Sequence, residues 1–188
     1  MGRWQPNAQG RLAEAAMELY AERGYEGTTV AEIAARAGLT ERTFFRYYAD
    51  KREVLFDGGG LMQELLASAA AGAPAGAEPI DAAAIALEAI AAVLDERRGR
   101  EFARRRQEVI AANPELQERE LSKLAAWSEA LAGALQERGS PPASAKLVAE
   151  VALAVFRTAF ERWVGRGEER DLAVLVRDAL GELRVVVG

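Results

Sequence analysis

The sequence predicts an all-α protein of about nine helices, and three observations carry that prediction. Apolar residues recur at three- and four-residue spacings over nearly the whole chain. The interruptions fall at glycine- and proline-rich points such as GAPAGAEP, 72 to 79, and GSPPAS, 139 to 144. No segment alternates as a strand would, the closing RVVV being the one ambiguous run.

Arg3 to Asn7 reads as a polar arm, with Pro6 and Asn7 ahead of a helix to about Arg23 whose inner face is Leu12, Ala16, Leu19 and Tyr20; Gly24 ends it. Arg3 and Arg11 are either placed to reach phosphates or merely solvated. Thr29 with Glu32 three residues on is a capping box, so a second helix starts at Val30, with Ile33, Ala34 and Ala37 on its apolar side and Gly38 closing it. Thr40 opens a third, Glu41 to Tyr48, on which Phe44 and Tyr48 form the buried stripe while Arg42 and Arg46 project roughly opposite. A helix of this size fits the major groove of B-DNA, and arginine bonds guanine edges bidentately. Asp50 and Glu53 make a further box-like start, placing Lys51 in a helical N-terminal turn suited to phosphate. The arrangement is a helix-turn-helix.

These residues resemble the DNA-binding signature of TetR-type transcriptional regulators, roughly dIA-x-x-AGVS followed by T-[LF]-Y-x-[HY]-F-x-x-K. Here the two segments are EIAARAGLT and TFFRYYADK, and the helix before them and the GYEGTTV turn also fit. The match covers about the first 55 residues. The resemblance implies that Thr40, Arg42 and Thr43 touch bases or phosphates, that Tyr47 stands where a phosphate-binding His or Tyr is common, and that Lys51 is the phosphate-binding Lys. Thr29, Phe45 and Arg46 complete the expected DNA-binding set. Phe45 replaces the usual Tyr, which removes a hydroxyl contact and leaves stacking against sugar or a thymine methyl.

The motif is expected to lead into one helix from Lys51 to Ala71, with Val54, Leu55, Leu61, Leu65 and Leu66 apolar. Gly58 to Gly60 weaken it by roughly 1 kcal/mol each, so a bend or break is anticipated there, either a hinge or a tolerated irregularity. Ile85, Ile90, Val93 and Leu94 build the next helix to about Arg98, and Arg100 to Ala112 the one after Gly99. Asn113 and Pro114 read as the cap and first turn of a long helix to Arg138, with Leu116, Leu121, Leu124, Trp127, Leu131 and Leu135 inward. Two last helices span about Ala143 to Val164 and Arg170 to Val186. The expected division is 1–52 for the helix-turn-helix and 53–188 for a helical ligand-binding and dimerisation domain.

The segment RRRQEVIAANPELQERELSKLAAWSEALAGAL is similar to the ligand-binding half of a TetR subset that includes mycofactocin-type regulators. Within and before it, Arg97, Arg98, Arg100, Arg104, Arg105 and Arg106 form a run that is either a solvated face paired with glutamates or an anion site for a phosphate-bearing effector such as an acyl-coenzyme A. The expected effector pocket takes Phe102, Arg104, Arg105, Arg106, Ile110, Leu124, Trp127, Leu131 and Phe156, with Ala103, Ala126 and Ala130 leaving room, although such stripes are also plain core. A short recognition helix reads few base pairs, so a homodimer on a palindrome is expected. Its interface draws on Val151, Val155, Phe160 and Trp163 of one helix and Leu172, Val176 and Leu180 of the next, beside Leu147, Phe156, Leu175 and Leu183; the same residues also read as monomer core.

Composition bounds the function. The chain has no cysteine and no histidine, which removes thiol chemistry, the usual general base and the common zinc ligands; no catalytic constellation, cofactor or metal is expected. No signal peptide or run of about 20 apolar residues is visible, so a cytoplasmic, membrane-free protein is expected. The net charge of −5 is unevenly spread: up to Arg52 there are 8 basic and 7 acidic residues, against 16 and 22 beyond, and Arg36 to Arg52 holds five basic residues. A ligand-released repressor binding operator DNA is the favoured reading. The rival is a helical protein-interaction module without DNA affinity, from which Arg42, Arg46, Tyr47 and Lys51 distinguish it.

Overall fold

The structure, a computed structural model, describes residues 8–97 and 99–187, with the Arg97 side chain, and the Arg3 to Asn7 arm and Arg98 altogether, lying outside the description. The described residues form nine α-helices and one 3₁₀ turn, without a strand. They are α1 (Ala8–Arg23), α2 (Val30–Arg36), α3 (Glu41–Tyr47), the 3₁₀ turn Glu53–Phe56, α4 (Gly59–Ala71), α5 (Pro79–Arg97), α6 (Gly99–Ala111), α7 (Pro114–Glu137), α8 (Pro142–Trp163) and α9 (Leu172–Val187). The closing RVVV continues α9, with Val185 to Val187 largely exposed.

By packing, the chain forms two compact units. One runs up to Asp57 and takes in Arg105–Glu120; the other holds Gly58–Arg104 and resumes at Leu121. In the first, α1 packs on α2 and on the 3₁₀ turn, and α2 packs on α3. Leu12, Ala16, Met17 and Leu19 of α1 and Ile33 and Ala34 of α2 are buried, as is Phe44 of α3. These are the period-3.6 stripes the sequence shows.

The expected helix from Lys51 to Ala71 is corrected. Asp50 does open a helical turn, its Oδ1 accepting the amides of Arg52 at 2.8 Å and Glu53 at 3.2 Å. The turn ends after Phe56, because Asp57 is extended (φ −55°, ψ 131°) and Gly58 is left-handed at φ 82°. Without a side chain, glycine adopts that conformation at little cost, and α4 begins at the following residue. The glycine triplet thus holds a break rather than a bend. Asn113 stands at the cap position as expected, with α7 starting at Pro114 and Asn113 O accepting the amides of Leu116 and Gln117 at 3.0 and 3.1 Å, while its side-chain amide donates back to Val109 O at 2.6 Å and so also closes α6.

The second unit is built on close approach of small residues. Ala82, Ala83, Ala86 and Ala91 of α5, and Ala145, Ala149, Ala152 and Ala159 of α8, are almost wholly buried beside Leu66, Leu87, Ile90, Leu131, Leu135, Leu172, Leu175 and Val176. Alanine lets helices pack closely, so α5 meets α4, α8 and α9, and α8 meets α9. Arg138 ties the end of α4 by donating to the carbonyls of Ala71, Ala73 and Pro74 at 3.1, 2.7 and 2.8 Å. No helix among the described residues is long and apolar enough to cross a membrane.

Candidate nucleic-acid interface

Thr29 forms the full capping box. Its hydroxyl accepts the Glu32 amide at 3.3 Å, and Glu32 Oε2 accepts the Thr29 amide at 2.9 Å and hydroxyl at 2.8 Å. Those bonds, the backbone amide foremost, hold the Glu32 carboxyl below its ordinary range, with Arg23 adding at 2.6 Å. Gly38 sits at φ 65° in the turn between α2 and α3, and its amide and that of Leu39 return to Ala35 O and Ala34 O. Thr40 then caps α3, its hydroxyl accepting the Thr43 amide at 3.2 Å and meeting the Thr43 hydroxyl at 3.1 Å.

This frame turns Phe44 and Tyr48 inward and leaves Arg42, Phe45, Arg46 and Tyr47 exposed, Phe45 at 55%. Phe44 stands edge-on to Phe45 and tilted to Tyr48, at 5.5 Å in both cases, so the outward aromatic is braced by the inward one. Arg46 rests on its neighbour, its guanidinium 4.9 Å from the Tyr47 ring centroid and bonded to the Tyr47 hydroxyl at 3.1 Å. Arg42 has no ion pair or hydrogen-bond partner among the described residues.

Two parts of the expected basic patch are committed within the protein. Arg36 pairs with Glu18 at 3.1 Å and with Glu22 at 2.8 Å, and Arg52 pairs with Asp50 at 2.6 Å. Lys51 departs from expectation further: it lies outside any helix, and its ammonium donates to the carbonyls of Tyr25 at 2.8 Å, Thr28 at 3.0 Å and Glu26 at 3.4 Å, beneath the Tyr25 ring at 4.3 Å. Charge counting could not foresee this, because the turn carbonyls are backbone groups some 25 residues away.

A second feature of this unit carries no local sequence signal. Two guanidinium groups lie over the Phe56 ring, Arg106 at 5.1 Å and Arg119 at 4.9 Å from its centroid. Arg106 also donates to Leu55 O and to Glu120, both at 2.6 Å, and Arg119 grips Glu53 at 2.9 and 3.1 Å. The end of α6 and the start of α7 thereby cover the 3₁₀ turn.

The expected effector residues are distributed between the units. Arg105, Arg106 and Ile110 belong to the first; Phe102, Arg104, Leu124, Trp127, Leu131 and Phe156 belong to the second. Trp127, Leu131 and Phe156 are buried in the helical core, with Leu124 partly so, and an aromatic run links Trp127 to Phe156, Phe156 to Phe160 and Phe160 to Trp163 at 6.0, 6.0 and 5.6 Å. The arginine run finds partners inside the chain: Arg100 donates to the carbonyls of Glu168 and Arg170, Arg104 to Glu101, and Arg106 as above. Arg105 keeps a buried Nε without a hydrogen-bond partner. Of the expected interface residues, Trp163, Leu172 and Val176 are buried in this single chain, and Val155 and Leu180 nearly so. They cannot present area to a partner, which corrects that expectation; Val151 and Phe160 stay half-buried, and Leu147 is 66% exposed.

The comparisons with known proteins agree with this architecture. The family model described as bacterial regulatory proteins, tetR family, matches residues 12–57, and the model of the MftR C-terminal domain matches 77–187, well over half of the chain. The chain is 29% identical over 191 residues to the candidate mycofactocin biosynthesis transcriptional regulator MftR of Mycobacterium tuberculosis, covering 100% of this chain and 93% of that protein. Among solved structures, it is similar to the FadR regulator of Bacillus subtilis in complex with stearoyl-CoA (TM-score 0.64, 21% identity, 93% and 96% of the two chains). It is likewise similar to Thermus thermophilus FadR in complex with lauroyl-CoA (TM-score 0.55, 24% identity, 94% and 93%). At those identities the structures speak for the fold alone. The two family models, placed end to end on one chain, make this protein a member of the tetR family of bacterial regulatory proteins, a DNA-binding transcriptional regulator with an MftR-type C-terminal half.

Proposed function

We propose that the protein is a repressor that binds a palindromic operator as a homodimer and is released by an amphipathic effector, an acyl-coenzyme A being the class that fits best. The observation that carries the operator half is the outward face of α3, where Arg42, Phe45, Arg46 and Tyr47 stand exposed on a helix anchored by Phe44 and capped by Thr40. Arg42 reads a guanine edge; Arg46 and Tyr47, already joined, take the phosphate flank, while Thr40 and Thr43 line the entry of the helix to the groove. Thr29 contributes by capping α2 rather than by its hydroxyl, which is used within the box.

An operator selected from random DNA tests this. Arg42→Ala is expected to weaken it by roughly 1 to 3 kcal/mol and to relax one base position, whereas Tyr47→Ala weakens all sequences alike. Unchanged affinity in both variants overturns the docking face.

Two regulators of this fold, the FadR proteins of Bacillus subtilis and Thermus thermophilus, are seen in complex with acyl-coenzymes A, and in this chain the aromatic run from Trp127 to Phe160 offers an apolar surface to an acyl chain. Arg104, in the same unit as that run, would take the phosphate-bearing head group. Stearoyl-coenzyme A is then expected to release the operator a hundredfold, a coupling of about 2.7 kcal/mol, with stearate far weaker. Equal potency of the two, or release indifferent to Arg104→Gln, removes the head-group role. For the dimer, Leu147 and Val151 on the outer side of α8 replace the buried residues as the expected contact. Sedimentation of Leu147→Glu with Val151→Glu should show monomer where the wild type shows dimer.

A further inference from the structure

We propose that Lys51 is a positioning residue, an internal cation that fixes the turn between α1 and α2 and so sets how α2 meets DNA, and not a phosphate ligand. The proposal rests on the operator-binding reading above and changes the part Lys51 plays in it.

An ammonium has three protons to donate. In this structure three carbonyls of one short turn, Tyr25, Glu26 and Thr28, converge on Nζ at 2.8, 3.4 and 3.0 Å. The Tyr25 ring adds its negative face at 4.3 Å. All four are electronegative, and together they take up the hydrogen-bonding capacity of the group. A phosphate oxygen approaching Nζ would have to displace one of these carbonyls, of which Tyr25 O keeps a second, longer bond from the Thr28 amide at 3.3 Å.

The backbone of Lys51 is held as well. The Tyr20 hydroxyl donates to Lys51 O at 2.7 Å, and the Tyr20 and Tyr25 rings touch at 5.3 Å. The side chain therefore reaches from a fixed point to a turn whose other bonds are the Thr28 hydroxyl to Gly24 O at 2.8 Å and the long Thr28 amide to Tyr25 O at 3.3 Å. Thr28 is followed directly by Thr29, the cap of α2. Whatever sets the Thr28 carbonyl sets where the capping box begins, and hence the axis of α2 beneath the recognition helix. Arginine would not substitute here: it can serve three carbonyls from two separate nitrogens, as Arg138 does, whereas these three face the single Nζ of Lys51.

Two variants of the full chain, Lys51→Met and Lys51→Arg, separate the roles. Hydrogen exchange of the free protein is read at Thr28 to Glu32, and affinity for the selected operator is followed over a range of salt. As a positioning residue, Lys51 when replaced in either way speeds exchange of those amides at least tenfold and weakens the operator, while log affinity against log salt keeps its wild-type slope. A phosphate ligand behaves differently: Lys51→Met flattens the slope by about one unit, Lys51→Arg keeps wild-type affinity, and exchange is unmoved in both. That pattern overturns the proposal, as does faster exchange with operator affinity unchanged, because α2 would then dock without the turn. Should Lys51→Met not fold, the charge-conserving Lys51→Arg decides alone. If the wild type selects no operator, the operator-binding reading fails by itself, and the exchange measurement still decides whether Lys51 holds the turn.

Discussion

The two compact units are closed by different kinds of bond. The first has a modest apolar centre and is fastened by polar devices of exact partner: the Thr29–Glu32 box, the Thr40 cap, the Lys51 carbonyl cage and the two arginines on Phe56. The second is a single apolar cluster in which alanines set the helix spacing and aromatics fill what remains. The difference teaches where tolerance lies. A volume change should be felt most in the second unit and hardly depend on chemical detail, whereas in the first the loss of one hydroxyl or one ammonium matters at nearly constant volume.

The largest expected effect is in the second unit. Trp163 is 1% exposed and packs on Phe160, so Trp163→Ala should cost about 3 to 5 kcal/mol in urea unfolding. A loss under about 1 kcal/mol would break the comparison. Next comes overpacking: Ala149→Leu, at a position with no exposed surface on α8, should cost about 1 to 3 kcal/mol, whereas the same change at exposed Ala154 should cost little. In the first unit, Thr40→Ala removes the cap of α3 at about 1 kcal/mol and weakens operator binding, and Thr40→Ser restores both.

The smallest effect is in the pH dependence, where Glu32 of the first unit and Asp95 of the second should act with opposite sign. The Thr29 amide keeps Glu32 below its unfolded value of 4.5, and Arg52 keeps Asp50 below 3.8. Such depressed carboxyls stabilise the fold above their unfolded values and cease to do so as pH falls through the folded ones. Thermal melting of wild type and Glu32→Gln should therefore differ at neutral pH and converge as pH falls below the unfolded value. In the second unit, burial raises Asp95 even though it accepts the Leu172 amide at 3.1 Å. A raised carboxyl opposes folding above its folded value and ceases to as pH falls through it, so Asp95→Asn should melt no lower than wild type at pH 7, with the gap closing in acid.

Much of the first unit was legible because its signals are local. Thr29 and Glu32, Gly38, Thr40 and the Phe44–Tyr48 stripe each act within four residues, and periodicity reaches that far. The break at Gly58 was visible as a weak point, but not as the left-handed residue that divides a turn from a helix. What the sequence hides is non-local: the carbonyls that meet Lys51, the stack of Arg106 and Arg119 on Phe56, and the glutamates that hold Arg36. The apolar stripes of α8 and α9 were correctly found, yet hydrophobicity does not say which neighbour covers a residue. Trp163, Leu172 and Val176 therefore read equally well as interface or core until the folded chain enclosed them.

The stack on Phe56 bears on how such regulators can be recombined. A headpiece cut after Asp57 would carry Val54, Leu55 and Phe56 without Arg106, Arg119 and Glu120, which cover and bond that turn. Grafting this operator specificity onto a foreign sensor domain therefore requires transplanting two pieces of sequence, the first 57 residues and the corner from 105 to 120. A chimera spliced at the single junction should be less stable than either parent, and one that carries both pieces should recover.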